Sequence, residues 1–267
     1  SSKFLDGAGS QITVGGGLSL AATTISSTDN KISYQASIAD NIMFHSHFNG
    51  SDGSTTFTDS SMAPLTSATF SGAAAIKTAQ SKFGGSSLYL NGVNTAKFKV
   101  TNTNTKVNFT SGDFTIEMWY YPVANVAWAS LINFNNTAWY QGPVLLFNNT
   151  NTLYLENSFG GSLQWTLNTT LSNPTLNQWY HIAVVGTSGQ HVKIYVNGSL
   201  SATRSGSYTF SIPTAGDIYL GHSAFFPSGV AAVNSINGYI DEVRISSSAR
   251  YSANFTPSAS AFADNNG

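Results

Sequence analysis

Charge is what this 267-residue sequence has least of. Only 9% of its residues are charged, 11 Lys+Arg against 12 Asp+Glu, for a net charge of -1. An ordinary soluble domain is about 25% charged. There is no basic excess to neutralise a phosphate backbone, so a non-specific nucleic-acid binder is excluded. Cysteine is absent, which removes disulfides, thiolate nucleophiles and thiolate metal ligands. No apolar run approaches the roughly 20 residues of a membrane-spanning helix, so no membrane insertion is expected. Residues Ser1 to Asp6 lead into polar, Gly-rich sequence rather than an apolar stretch, so no signal peptide is read here. Glutamate is reduced to three residues, Glu117, Glu156 and Glu242.

Hydroxyls and amides take the place of charge: 38 Ser, 28 Thr and 25 Asn. Aromatic residues make up 13% of the chain, too many for a disordered polymer. A break falls near residue 42. Before it, small apolar residues come in sparse alternating pairs, Ile12 with Val14 and Leu18 with Leu20, among glycines and threonines. About 40 residues with so little bulk need a partner to fold against, so residues 1–42 are read as an extended N-terminal arm, a docking adaptor. Residues 43–267 read as one all-β domain. Phe114 to Tyr121 alternates and stops at Pro122; Trp179 to Val185 has the composition of a buried strand. Val192, Ile194 and Val196 alternate and lead into Asn197-Gly198, a hairpin turn in which both positions tolerate positive φ. No window of a dozen residues keeps a helical period. Many short strands at turn-marked intervals predict a two-sheet antiparallel sandwich or jelly roll.

The residues offer little to a catalyst. Glycoside hydrolysis needs two carboxyl groups flanking the bond, but Glu117 stands between Thr115 and Trp119, with no acidic residue two positions away. Glu242 and Arg244 share a strand face as a local ion pair. No Gly-x-Ser-x-Gly elbow precedes a helix. His45 and His47 stand two apart on a strand-like stretch, but the sequence names no further ligands for a metal. Sugar contact is better supplied. Trp128, Trp139 and Tyr140 lie in a turn-rich segment with Asn133, Asn135 and Gln141, and Phe225 and Phe226 lie in another. Aromatic rings in such loops serve as stacking platforms for glycans, or else plug the sandwich ends.

Six stretches, in order, resemble the laminin-G-like branch of the concanavalin A-like lectin/glucanase jelly rolls. They are Phe48 to Gly53, Lys82 to Leu88, Gly112 to Trp119, Trp179 to Ala183, Lys193 to Gly198, and Gly238 to Ile245. The ending, Ala249-Arg250-Tyr251 with Asn254 to Pro257, is similar to that of such domains in bacteriophage virion proteins. The resemblance implies a two-sheet sandwich that often binds glycans and does not by itself imply catalysis; with so few carboxylates the chain is read as a non-enzymatic virion surface protein, a tail fibre or a decoration protein. It implies a homo-oligomer, with a trimer favoured, bound to other virion proteins through the arm and to host surface polysaccharide through the domain. A secreted bacterial adhesin and a glycan depolymerase are the rivals. It further implies structural calcium, held by Asp241 with Asn49, Asp52 and Asp59, and Asn49 stands where Asp is usual. Asp241 is placed on an apolar face with Tyr239, Val243 and Ile245, where an unpaired carboxylate is costly.

Overall fold

The structure is a computed structural model, and it describes residues 3–5, 11–13, 41–134, 142–159, 162–210, 212, 216–221 and 234–264. The chain divides into two units, residues 1–41 with Gly267 and residues 42–266. In the first, β1 (Lys3–Leu5) and β2 (Gln11–Thr13) form an antiparallel pair, Lys3 opposite Thr13.

The second unit is built from two sheets of eight strands each. The first sheet contains β3 (Ile42–Ser46), β5 (Ala75–Lys77), β6 (Ser87–Asn91), β8 (Phe114–Ala124), β13 (Tyr180–Thr187), β14 (His191–Val196), β15 (Ser199–Ser205) and β18 (Asn237–Ser246). Its order is β15-β14-β13-β8-β18-β6-β5, with β3 also paired to β18. The second contains β4 (Ala68–Ser71), β7 (Lys97–Thr101), β9 (Ala129–Asn133), β10 (Gly142–Phe147), β11 (Thr152–Phe159), β12 (Ser162–Ser172), β16 (Asp217–Leu220) and β17 (Asn234–Ser235). Its order is β12-β11-β10-β9-β16-β7-β4, with β17 paired to β9.

Alternation explains why these segments form strands and where the core lies. Ile116 and Met118 of β8, Ile182 and Val184 of β13, and Val192 and Ile194 of β14 are buried in one cluster with Phe98, Leu131, Leu145, Leu155 and Leu220 of the second sheet. The two inner faces therefore interdigitate as in an aligned sandwich. Phe98 is fully buried and packs against Phe48, Phe57 and Phe70 at centroid distances of 5.0 to 5.3 Å. Burying each such ring stabilises the fold by roughly 1.5–3 kcal/mol. The hairpin expected at Asn197-Gly198 joins β14 to β15, with φ of 49° and 76°. Glycine is needed at 198 for a second reason: a Cβ there would lie 1.9 Å from the Phe255 carbonyl oxygen.

One irregularity changes which residues face the core. The pairing of β18 with β8 shifts register between Asp241 and Arg244, and Glu242 has φ 52°. This bulge places Ile240 and Val243, three residues apart, in the same core cluster. Tyr239 and Asp241 therefore lie on the outer face, opposite Tyr121 and Trp119. The sequence reading that put Asp241 beside Val243 and Ile245 is corrected by this bulge, because strict alternation fails across an inserted residue.

Candidate functional site

The outer face of the second sheet sets a partly exposed Trp128 over a buried apolar and aromatic row. Leu145 and Leu155 point into the core, so their strand neighbours Val144, Leu146, Tyr154 and Glu156 point outward. Cross-strand register sets them in two rows. One runs Ser130, Leu146, Tyr154, Asn168; the other runs Asn133, Val144, Glu156, Thr166. Residues directly opposite one another on adjacent strands share a face, so apolar and aromatic groups pass into the exposed amide of Asn168 and hydroxyl of Thr166. Trp128 packs over Val144, Leu146 and Tyr154 and remains partly exposed. Its φ is 57°, a left-handed conformation that is costly for a bulky side chain and that concentrates at functional positions. The Trp128 N–H donates to the Asn148 carbonyl at 3.3 Å, and the Trp128 carbonyl accepts from Asn234 N–H at 2.9 Å. Beneath this cluster Glu156 is buried, which raises its carboxyl pKa; Ser158 donates to it at 3.0 Å and the Tyr154 hydroxyl at 3.4 Å. Of the five aromatic residues singled out in the sequence, Trp128 is placed here. Trp139, Tyr140, Phe225 and Phe226 lie outside the described residues.

The four residues expected to hold calcium have different surroundings. Asp59 is buried and its oxygens are taken by donors: the N–H groups of His45, Ser61 and Leu65 at 2.7 to 3.0 Å, the Ser61 hydroxyl at 2.7 Å, and the Lys106 ammonium at 3.3 Å. That donor set suits a structural hub, not an oxygen cage for an ion. Asp52 lies at the surface, where it accepts from Thr78 N–H at 3.1 Å and from Lys77 at 3.3 Å. Asp241 accepts from Lys82 N–H at 2.7 Å, Phe83 N–H at 3.1 Å and Glu242 N–H at 2.9 Å. Burial pushes its carboxyl up to about 7 against the pull of those N–H groups. Asn49 abuts the same turn, where a Cβ on Gly84 would fall 2.0 Å from its side-chain oxygen. Asn49 and Asp241 thus flank one turn, while Asp52 and Asp59 are engaged elsewhere.

The outer face of the first sheet holds two charged clusters that sequence reasoning missed or misassigned. Arg244 pairs with Glu117, not with Glu242, at 2.9 Å through Nε and 2.8 Å through Nη2. His181 Nε2 lies 3.3 Å from Glu117, and the Tyr251 hydroxyl donates to it at 2.7 Å. Burial opposes the charge on Glu117, but His181 and Arg244 outweigh it and hold the carboxyl below its ordinary value. Among the described residues its partners are the basic side chains of Arg244, Arg250 and His181 and the Tyr251 phenol. Glu242 instead meets His47 Nδ1 at 2.6 Å and accepts from Phe262 N–H at 2.7 Å. Burial opposes its ionisation too, yet the neighbouring histidines and this N–H draw its pKa to about 2. The bond to Glu242 in turn raises that of His47 to about 9, helped by Asp264. His47 also lines a cleft of about 170 Å³ with Asn49, Thr56, Thr58 and Ser60.

The two-sheet fold is that of a lectin-like jelly roll. The chain belongs to the concanavalin A-like lectin/glucanases superfamily, whose laminin G profile matches residues 98–254. Solved structures of similar fold include the binding domain of botulinum neurotoxin serotype C1, with TM-score 0.58 and 17% identity, covering 79% of this chain and 49% of that one. The binding domain of Paraclostridial Mosquitocidal Protein 1 gives 0.57 and 18%, covering 79% and 50%. Domain 4 of AbnA, an extracellular arabinanase from Geobacillus stearothermophilus solved with arabinotriose, gives 0.54 and 17%, covering 78% and 92%. The chain spans about half the length of the two toxin binding domains. No curated protein matches it in sequence.

Proposed function

We propose that this chain is a non-enzymatic carbohydrate-binding protein of a bacteriophage surface, a tail fibre or a decoration protein that adheres to host polysaccharide. The observation that carries the sugar-binding half is Trp128, half-buried over Val144, Leu146 and Tyr154 on the outer face of the second sheet, on which Asn168 and Thr166 are exposed. A half-exposed indole on a face that also presents an amide and a hydroxyl suits the alternating apolar and hydroxylated faces of a neutral glycan. Support also comes from the similar fold of the arabinanase domain solved with arabinotriose. The non-enzymatic half rests on Glu117, which is enclosed by Arg244, His181 and Tyr251 and lacks the second carboxyl that glycoside hydrolysis requires. The virion setting rests on the Ser- and Gly-rich arm of residues 1–42 and on the ending from Ala249 to Pro257. In this setting the arm joins other virion proteins and completes its core in a homo-oligomer, with a trimer favoured. Incubating the protein with host polysaccharide tests the reading. Retention on the polysaccharide with no shortening of its chains is expected. Chain shortening would establish a depolymerase, and the absence of retention would remove the lectin role.

A further inference from the structure

His45 of β3, His47 just beyond that strand and Asp264 meet in a cluster apart from the second sheet. One ligand atom from each of His45, His47 and Asp264 lies within 4.8 Å of the other two. Asp264 Oδ1 is 3.6 Å from His45 Nδ1 and 2.9 Å from His47 Nε2. A tetrahedral zinc ion bound at about 2.0–2.1 Å spaces its ligand atoms about 3.3 Å apart, so these separations bracket what one ion needs.

A second observation points the same way. His45 is fully buried, and neither of its ring nitrogens has a hydrogen-bond partner. Its Nδ1 faces Asp264 at 3.6 Å and its Nε2 faces Glu242 at 3.9 Å, both too long for hydrogen bonds. Buried polar groups are nearly always satisfied. An ion between His45, His47 and Asp264 supplies the missing partner on the Nδ1 side.

We propose that His45, His47 and Asp264 form a binding site for a single divalent cation of the zinc class, with Glu242 orienting the His47 ring from behind. Two imidazoles and one carboxylate select zinc or cobalt over calcium or magnesium, which prefer all-oxygen sets. Glu242 Oε1 lies 2.6 Å from His47 Nδ1, which turns that ring's Nε2 toward the ion, as carboxylates do behind metal-bound histidines. The ion replaces the proton shared between His47 Nε2 and Asp264. Because Asp264 is 45% exposed, solvent reaches the fourth position. The ion would pin the segment that carries Asp264 to His45 of β3.

Cobalt(II), whose visible absorption reports tetrahedral coordination, tests the site in untagged full-length protein. One equivalent should bind, and zinc should displace it and raise the melting temperature. Asp264→Ala alters a half-exposed residue and leaves the core intact; it should abolish both the bands and the thermal shift. Glu242→Gln keeps the three ligands and should weaken binding by about 10–100-fold. Calcium should produce no competition. Failure to bind cobalt at millimolar concentration, or unchanged bands in Asp264→Ala, would overturn the proposal.

Discussion

At the scale of single residues, the outer face of the first sheet is held by a buried ion pair rather than by apolar packing alone. Glu117 has no exposed surface and meets Arg244, His181 and Tyr251. Removing its charge leaves the Arg244 guanidinium without its counter-ion in a largely dry setting. Breaking such a pair costs about 3–5 kcal/mol, so Glu117→Gln should lower stability at neutral pH by that order, measured by chemical denaturation. The pH dependence has a definite sign. The Glu117 carboxyl lies below its ordinary value of 4.5 in the folded chain, so its contribution is complete above 4.5 and is lost as pH falls through the lowered folded value. The gap between parent and variant should therefore narrow under acid conditions. A gap that stays constant, or that widens in acid, would contradict the role assigned to this charge. The same residue was legible in the sequence only as a carboxylate without an acidic neighbour. Its true partners were hidden, because Arg244 and Tyr251 stand 127 and 134 positions away along the chain.

At the scale of elements, the last stretch of chain acts as a cover although it forms no strand. Tyr251 and Phe255 stack on one another at 3.6 Å and pack with Ala183, Val185 and Tyr195 on the outer face of β13 and β14. Backbone bonds fix the path: Phe255 N–H donates to the Gly198 carbonyl at 2.9 Å, and Leu200 N–H donates to the Asn254 side chain at 2.8 Å. Truncation after Ser246 should expose this apolar face, bind a hydrophobic dye and lower the unfolding midpoint. An unchanged midpoint without dye binding would show that the cover is dispensable. Strands such as β8 and β13 were readable in advance because period-two alternation is local. The bulge at Asp241 to Arg244 was not, since its extra residue is defined only by the partner strand. That one inserted residue undid the apolar-face argument for calcium at Asp241. The His45–His47 pair shows the same limit. The spacing was visible, but Glu242 and Asp264 lie 195 and 217 positions beyond His47.

At the scale of the whole molecule, the scarcity of charge and the chosen binding face belong together. A surface of hydroxyls and amides exerts little long-range steering and suits a neutral partner met at short range. The carboxylates that remain in the jelly roll are largely committed: Asp59 to backbone and Lys106, Glu117 to Arg244, Glu242 to His47. On the outer face of the second sheet Val144, Leu146 and Tyr154 are buried, and Trp128, Asn168 and Thr166 reach solvent. The most direct measurement is the affinity of Trp128→Ala for a polysaccharide that the parent protein binds, taken together with its melting temperature. Loss of a central aromatic contact is worth more than about 1.4 kcal/mol, a factor of 10 or more in Kd. The account predicts weakening of at least that size in a variant that remains folded. Unchanged affinity in a folded Trp128→Ala protein would contradict it.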